Sequence, residues 1–359
     1  MKKIILIAVV VLVVLLVAAG AAMWYWMQKP LYEPGLVRAG QNLRGPLIPP
    51  SQPPDKDFWL VENDIKLYHF AEGTGTNVLV IHGGPGYPFS QPLSGFKPLT
   101  DNYKFTYYDQ RGCGKSSRPL DKFSSSNYYE NMTTLDKTLG LGAQIADIER
   151  IRQILGDDQL IIVGHSFGGF IASLYAAEFP EHVKALILIA PAEMLVMPSE
   201  SGGLYEQVKP LLPESMKLEY ADYLKRYFNF GDLFSKTEAD LVALNQEFTR
   251  YYDAAVKGKG FSIPASNSAS DNGGWMVQAI YMSMGMRHDY RAALKKVNVP
   301  VLVIHGDQDL QPEKASRIYA DAFPNAEFQV IKNASHFPFE EQPQAFATAV
   351  SQFLSKLNR

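Results

Sequence analysis

The sequence predicts an α/β fold in which helices cover both faces of a mainly parallel β-sheet. Over most of the chain, short apolar runs that suit buried strands alternate with segments whose apolar residues follow helical spacing. Between Ala192 and roughly Arg291 the strand-like runs disappear, and segments such as "EADLVALNQEFTRYYDAAV" keep helical spacing. We therefore expect an α/β core that is interrupted by an inserted helical cap.

The N-terminal part contains an uncharged run, Ile4–Trp26, after Lys2-Lys3. As a helix this run would be about 35 Å long, enough to cross a hydrocarbon core of about 30 Å. The aromatic cluster Trp24-Tyr25-Trp26 favours an uncleaved transmembrane helix in contact with the lipid bilayer. The small residues Ala19-Gly20-Ala21 leave a cleaved secretory signal as the alternative. In both cases the positive-inside rule predicts that the remaining chain is non-cytoplasmic, either membrane-anchored or secreted.

A proline-rich segment separates this run from the predicted core. Seven prolines lie between Pro30 and Pro54, and their fixed φ and missing N–H favour an extended tether. The predicted organisation is an N-terminal anchor or signal at 1–28, the tether at 29–57, a core in two parts at 58–191 and 292–359, and the helical cap at 192–291.

The predicted core begins with a β-hairpin in "FWLVENDIKLYHFAEG", which breaks at Asn63-Asp64. The apolar runs "NVLVIHGG", "KFTYYDQ" and "QLIIVG" then predict strands, and "AQIADIERIRQIL" predicts a helix. A helix from Phe167 to Glu178 and the strand "KALILIA" complete the first part. After the cap, "VPVLVIHG" and "AEFQVIK" predict the last strands, so the sheet is expected to be mainly parallel.

The pattern G-x-S-x-G occurs at Gly164–Gly168, between the buried strand "QLIIVG" and the helix that starts at Phe167. This context is the one that a nucleophile elbow requires, because the serine must lie on a sharp strand-to-helix turn. The glycines leave the space that side chains would fill. Ser166 is therefore the candidate nucleophile.

A serine nucleophile needs a histidine base and a carboxylate that orients it. In this type of fold they follow the serine in the order acid, then histidine, each after a late strand. His336 lies in the loop after the last predicted strand. Asp307 and Asp309 both follow the strand before it, and we favour Asp309 because it lies in the pattern Gly306-x-x-Asp309-x-x-Pro312.

An acyl-transfer site also needs hydrogen-bond donors for the oxyanion. The N–H of Phe167, directly after the nucleophile, is one candidate. The second donor is expected from the loop after "VLVIHGGPG", most simply from Gly84, with Gly83 as the alternative. Glycine at these positions lets the backbone approach a substrate closely.

Composition and charge argue against several other functions. The net charge is −3 with no basic run beyond Lys2-Lys3, so nucleic acid is not an expected partner. A single cysteine, Cys113, excludes an intrachain disulfide framework and a multi-cysteine metal site. The segment "RGCGKSS" is not a phosphate-binding P-loop, because Asp109 stands where that motif needs its first glycine.

Three blocks occur in a characteristic order: "HGGPG" at His82–Gly86, "DQRGCGKS" at Asp109–Ser116, and "DIERIRQIL" before the Ser166 turn. From approximately Phe58 to Leu357 the chain resembles the α/β-hydrolase superfamily, and within it the proline iminopeptidase group. The resemblance implies an α/β-hydrolase fold and release of an N-terminal residue, often proline, from short peptides. It also implies an acyl-enzyme and no metal or organic cofactor. One departure is Phe167, because the members of that group resemble one another in having a tryptophan directly after the nucleophile.

An aminopeptidase must hold the substrate's ammonium group, which calls for carboxylates near the site. The cap offers Glu193, Glu200, Glu206, Glu214, Glu219 and Glu247 as candidates. An apolar cap pocket without a carboxylate would instead favour a carboxylesterase or lactonase that uses the same catalytic residues. A third hypothesis is a non-catalytic, membrane-tethered sensor, although the presence of Ser166, Asp309 and His336 together argues against it. The sequence leaves open the natural substrate, peptide or small ester, and the oligomeric state.

Overall fold

The structure is a computed structural model that describes residues 10–18, 20, 25, 28–265 and 271–357. The strands are β1 Phe58–Glu62, β2 Ile65–Glu72, β3 Thr76–Ile81, β4 Tyr103–Tyr108, β5 Leu160–His165, β6 Val183–Ile189, β7 Val196–Met197, β8 His288–Asp289, β9 Val301–Gly306 and β10 Ala326–Ile331. The helices are α1 Tyr128–Leu139, α2 Leu141–Leu155, α3 Phe167–Glu178, α4 Gly203–Val208, α5 Glu214–Tyr227, α6 Glu238–Gly258, α7 Trp275–Met284, α8 Arg291–Leu294, α9 Glu313–Ala322, α10 Pro338–Glu341 and α11 Pro343–Lys356. Short 3-10 helices lie at Ser94–Leu99, Pro180–His182, Lys209–Leu211 and Leu233–Ser235.

The main sheet has the strand order β1-β2-β4-β3-β5-β6-β9-β10. β1 pairs antiparallel with β2, and β2 pairs antiparallel with β4. The remaining neighbours are parallel. Every residue of β5 is buried, which is why its sequence is a continuous apolar run rather than an alternating one. The predicted mainly parallel sheet is confirmed.

Both faces of this sheet are covered. Leu79 and Ile81 of β3 pack in an apolar cluster with residues of α2 and α3. Their neighbours Val78 and Val80 point the other way and pack with residues of α11. Successive side chains of a strand point to opposite faces of a sheet, so the two clusters are separated by the sheet itself.

The segment between β6 and β9 forms the cap. Its two ends are joined by the short antiparallel pair of β7 and β8, in which Val196 lies opposite Asp289. The cap's longest helix, α6, begins with a capping box, because Thr237 accepts a hydrogen bond from the N–H of Asp240 and Asp240 accepts one from the N–H of Thr237. Buried tyrosines of α5 and α6 pack against one another, for example Tyr220 and Tyr251 with ring centroids 4.9 Å apart and ring planes tilted by 57°. These tyrosines belong to the apolar cluster that also contains Val78 and Val80 of β3, so the cap packs on the core through aromatic side chains.

The proline-rich segment differs from the extended tether that its composition favours. It contains neither helix nor strand over 28–57, but it packs on the core. Tyr32 and Val37 are buried, and the carboxylate of Glu178 at the end of α3 accepts hydrogen bonds from the Tyr32 hydroxyl and from the main-chain N–H groups of Gly35, Val37 and Arg38. A single buried carboxylate thus holds the chain against α3.

The prediction of a transmembrane helix over Ile4–Trp26 is wrong for the residues that the structure describes. None of the helices in that part of the chain is both long and apolar enough to cross a membrane. Within the run, 10–18 are helical. Most of the other positions of the run lie outside the described residues.

Candidate active site

Ser166 lies on the turn between β5 and α3, as the sequence predicts. Its backbone has φ 54° and ψ −119°, a strained conformation for a residue with a side chain. The flanking glycines are required by close packing. A Cβ at Gly164 would lie 2.4 Å from the main-chain oxygen of Gly168, and one at Gly168 would lie 2.2 Å from that of Ile81. Strand, turn and helix therefore fit together only with glycine at both positions.

The structure brings His336 and Asp309 together. Nδ1 of His336 donates a 2.7 Å hydrogen bond to Oδ2 of Asp309, and the N–H of Gln311 donates one of 3.0 Å to Oδ1. Burial acts to raise the pKa of Asp309, but the adjacent His336 and these hydrogen bonds hold that pKa below its usual range. Asp309 can therefore stay ionised and orient the imidazole. The alternative acid, Asp307, instead lies 3.5 Å from Nζ of Lys332.

One large cavity of about 1800 Å³ contains most of the predicted site. Ser166, His336, Gly83 and Gly84 all line it. Asp309 lies behind His336 and does not line the cavity. The side chain of Phe167 is buried, whereas its N–H is the first of α3 and has no acceptor within that helix. Nucleophile, imidazole and candidate oxyanion donors are thus arranged around one space.

The glycine loop after β3 packs directly against the nucleophile. A Cβ at Gly83 would lie 2.8 Å from the Cβ of Ser166. Gly84 has φ +115°, which favours glycine. This geometry leaves both glycines as candidates for the second oxyanion donor, and Gly83 makes the closer approach to Ser166.

His82, directly before this loop, is held by Gln110. The N–H of Gln110 donates to Nε2 of His82 at 3.1 Å, and its side-chain amide donates to the main-chain oxygen of His82 at 2.9 Å. Burial lowers the pKa of His82 to about 4, so this ring is neutral near pH 7. The "HGGPG" and "DQRGCGKS" blocks therefore contact each other. Sequence reasoning missed this link, because the partners lie 28 positions apart and no local pattern connects them.

A buried ionic network fixes the residue after Gln110. Arg111 is fully buried and donates to both carboxylate oxygens of Asp147 and to Glu62, at 2.5 to 2.8 Å. Arg150 donates to the same two carboxylates at 3.0 Å. The second signature block thus anchors the loop that carries Gln110 to α2 and β1.

His165 holds the backbone of His336, the candidate base. Its Nε2 donates a 2.9 Å hydrogen bond to the main-chain oxygen of His336. Burial, together with the nearby His336, lowers the pKa of His165 to about 3, so His165 stays neutral at neutral pH. It can therefore hold the backbone of His336 without adding a positive charge beside it.

Two of the six predicted cap carboxylates line the cavity, namely Glu193 and Glu206. One oxygen of Glu193 accepts hydrogen bonds from the hydroxyls of Ser199 and Ser201. The other oxygen, Oε2, is buried and has no hydrogen-bond partner among the residues that the structure describes. The remaining four carboxylates form ion pairs away from the cavity: Glu200 with Lys314, Glu214 with Lys217, Glu219 with Arg250, and Glu247 with Arg226.

Cys113 is fully buried, and burial raises the pKa of its thiol well above the usual range. A protonated, buried thiol is a poor nucleophile.

In the described part of the chain, no group of three or more His, Cys, Asp and Glu side chains is placed to bind a metal ion.

Comparison with known proteins places this geometry in context. A model of the family described as alpha/beta hydrolase fold matches residues 76–343. The chain is 26% identical over 291 residues to the proline iminopeptidase of Heyndrickxia coagulans, which covers 79% of this chain and 92% of that protein. It is 29% identical over 308 residues to the proline iminopeptidase of Neisseria meningitidis serogroup B, with 79% and 90% covered. Among solved structures, VinJ superposes with a TM-score of 0.59 at 17% identity, over 85% of this chain and 99% of VinJ. The fold and the resemblance to the proline iminopeptidase group are confirmed.

Proposed function

Since the chain belongs to the alpha/beta hydrolase family, we propose that this hydrolase is a serine aminopeptidase of the proline iminopeptidase type, which releases N-terminal residues from short peptides. The observation that carries the proposal is Glu193, which lines the same cavity as Ser166 and His336 and has a carboxylate oxygen without a hydrogen-bond partner among the described residues. The similarity to proline iminopeptidases over most of both chains supports the same substrate class.

The catalytic steps follow from the positions of the side chains. Nδ1 of His336 donates its hydrogen bond to Asp309, so Nε2 of His336 is the nitrogen available to take the proton from the hydroxyl of Ser166. Ser166 then attacks the carbonyl carbon of the N-terminal residue, and Asp309 stabilises the imidazolium. The N–H of Phe167 and that of Gly84 or Gly83 hold the oxyanion.

Collapse of the tetrahedral intermediate breaks the peptide bond. His336 gives its proton to the leaving amine, and the N-terminal residue remains as an ester on Ser166. Water then attacks this acyl-enzyme with His336 as the base, which releases the free amino acid and restores the serine.

Glu193 supplies the feature that separates an aminopeptidase from a general esterase. An ammonium group that enters an apolar cavity loses hydration and needs an opposite charge. The free Oε2 of Glu193 provides it, while the two serine hydroxyls on Oε1 keep the side chain in place. A neutral acyl ester has no use for this buried carboxylate.

The proposal is tested by hydrolysis with the full-length protein. Three substrates are compared: a proline arylamide with a free amine, its N-acetylated counterpart, and a short-chain aryl ester. We expect turnover of the free-amine arylamide, loss of turnover on acetylation, and loss of all activity in Ser166→Ala. Glu193→Gln should raise the KM for the free-amine substrate about tenfold or more and leave ester turnover largely unchanged.

Glu200→Gln is the matched control, because Glu200 is an exposed partner of Lys314 and does not line the cavity. Its KM should equal that of the wild type. Ester turnover alone, still dependent on Ser166, would overturn the aminopeptidase proposal and assign the protein to the carboxylesterases or lactonases. No turnover of any substrate and no labelling of Ser166 by a fluorophosphonate would point to a non-catalytic role.

A further inference from the structure

Two asparagines that line the cavity of Ser166 each have a side-chain carbonyl oxygen without a hydrogen-bond partner among the described residues. Asn245 lies on α6, and Asn272 lies shortly before α7; both line the cavity. The Oδ1 atom of each is buried and has no hydrogen-bond partner within the described ranges. Asn272 as a whole is only 3% exposed. A buried acceptor without a partner costs stability, so each of these oxygens can accept a hydrogen bond from a ligand that supplies a donor.

The orientation of Asn245 is set by its own amide group. Its Nδ2 donates a 2.6 Å hydrogen bond to the main-chain oxygen of Gly273. Only a nitrogen can donate to that carbonyl, which identifies the free atom as the oxygen. The unpaired group on Asn245 is therefore an acceptor and requires a donor on the ligand.

The segment that carries Asn272 is rigidly held. Arg118 donates to the main-chain oxygen of Asn272 at 3.0 Å and forms an ion pair with Glu238. Glu238 in turn accepts a 2.6 Å hydrogen bond from the N–H of Trp275. These contacts hold the backbone at Asn272 in place before a ligand arrives, which lowers the entropic cost of binding.

The same segment lies against the glycine loop after β3. The N–H of Gly273 donates a 2.9 Å hydrogen bond to the main-chain oxygen of Gly86, and a Cβ at Gly86 would lie 3.0 Å from that nitrogen. Gly86 ends the "HGGPG" block that also contains Gly83 and Gly84. Asn272 is thus one residue away from a direct contact with the loop that flanks Ser166.

We propose that Asn245 and Asn272 form a subsite that accepts hydrogen bonds from the backbone N–H groups of the leaving peptide. The inference rests on the proposed aminopeptidase function. In a substrate cleaved after its first residue, the acyl part carries only the terminal amine, which matches the charged Glu193. Every neutral backbone N–H therefore belongs to the scissile amide or to the residues after it, and neutral amide oxygens are suitable partners for them. The subsite favours peptides over simple esters and arylamides.

The test uses the full-length protein and the tripeptide Pro-Ala-Ala beside an analogue whose third residue carries an N-methyl group in place of N–H. In the wild type we expect kcat/KM to be about tenfold higher for the parent peptide, the factor that one neutral hydrogen bond supplies. In the double variant Asn245→Leu/Asn272→Leu, kcat/KM for the parent should fall about tenfold and the ratio between the two peptides should approach one. The single variant Asn272→Asp keeps an acceptor oxygen at that position and leaves Asn245 unchanged, so it should keep the ratio.

Asn298→Leu is the matched control, since Asn298 is exposed and does not line the cavity. A wild-type ratio in the double leucine variant would overturn the subsite. If that variant does not fold, as judged by its thermal unfolding, the double alanine variant replaces it, because it removes the same oxygens without adding bulk. Hydrolysis of a free-amine proline arylamide separates the two proposals. If the wild type cleaves the arylamide but the ratio does not respond, only the subsite fails; if the arylamide is not cleaved, the aminopeptidase function fails, and the subsite with it.

Discussion

Lys259 donates hydrogen bonds to the main-chain oxygens of Gln308 at 2.6 Å and Asp309 at 3.2 Å. Lys259 directly follows α6 of the cap, whereas Asp309 lies in the loop after β9 of the core. Asp309 also accepts the hydrogen bond from His336. The cap is therefore attached to the loop that positions the candidate acid and base.

Replacing Lys259 with methionine should disturb catalysis more than substrate binding. The change keeps an apolar stem and removes the ammonium group that holds the Asp309 loop, so we expect kcat to fall about tenfold while KM changes less than threefold. Steady-state kinetics with the free-amine proline arylamide measure both constants. Lys257→Met is the control, because Lys257 is an exposed partner of Asp253. Equal losses of kcat in the two variants would contradict a positioning role for Lys259.

The buried network around Arg111 should be sensitive to the loss of one charge. Asp147→Asn leaves the fully buried guanidinium of Arg111 with less opposite charge, and we expect the free energy of unfolding to fall by about 3 kcal/mol or more. Urea denaturation measures this change. The exposed pair of Arg38 and Glu181 provides the contrast, since Glu181→Gln should change the free energy of unfolding by about 0.5 kcal/mol or less. Similar losses in both variants would show that burial does not govern the network.

Much of the fold and site follows from local sequence patterns. The continuous apolar run "QLIIVG" predicts β5 because a strand buried on both faces has no polar side. Glycines at 164 and 168 predict the turn at Ser166, and they are needed there because any side chain would collide with main-chain oxygens. The positions of Asp309 and His336 after late strands are sufficient to predict that they lie at the same edge of the sheet.

Contacts between distant parts of the chain could not be predicted. The hydrogen bond of Tyr32 to Glu178 joins residues 146 positions apart, so composition alone predicts an extended tether where the structure has a packed segment. The contact of Lys259 with Asp309 spans 50 positions and involves a main-chain oxygen, which any residue type supplies. The hydropathy of Ile4–Trp26 indicates only how long an apolar helix could be. The predicted spanning helix is not found in the described residues.

The backbone strain at Ser166 should appear as a difference in stability between two variants that both lack the serine hydroxyl. Ser166→Ala keeps a Cβ in a conformation with φ 54° and ψ −119°, whereas Ser166→Gly removes it. Glycine relieves the strain but costs conformational entropy in the unfolded chain. As the net result, we expect the free energy of unfolding of the glycine variant to be about 1 kcal/mol higher than that of the alanine variant. Ser173, in the interior of α3, is the control position. There the glycine variant should be about 1 kcal/mol less stable than the alanine variant, so the opposite sign isolates the strain at Ser166.

His69 should make the stability of the protein depend on pH. Its ring stacks on Trp59 with centroids 3.9 Å apart, and burial lowers its pKa to about 4. The unfolded chain binds a proton at His69 below about pH 6.5, whereas the folded protein does so only below about pH 4. The free energy of unfolding therefore falls as the pH drops from 6.5 to 4, and it is constant with respect to this group above that window.

Because His69 is partly exposed, solvent screening reduces its contribution to about 1 to 2 kcal/mol. His69→Phe keeps an aromatic ring beside Trp59 and removes the titration. Between pH 7 and pH 4.5, urea denaturation should thus show a loss of stability that is about 1 kcal/mol smaller in His69→Phe than in the wild type. Tyr68→Phe, on the same strand, removes no histidine and should keep the wild-type dependence. If His69→Phe loses as much stability as the wild type over this range, His69 is protonated in the folded protein as readily as in the unfolded chain, and the acid sensitivity belongs to the other buried histidines.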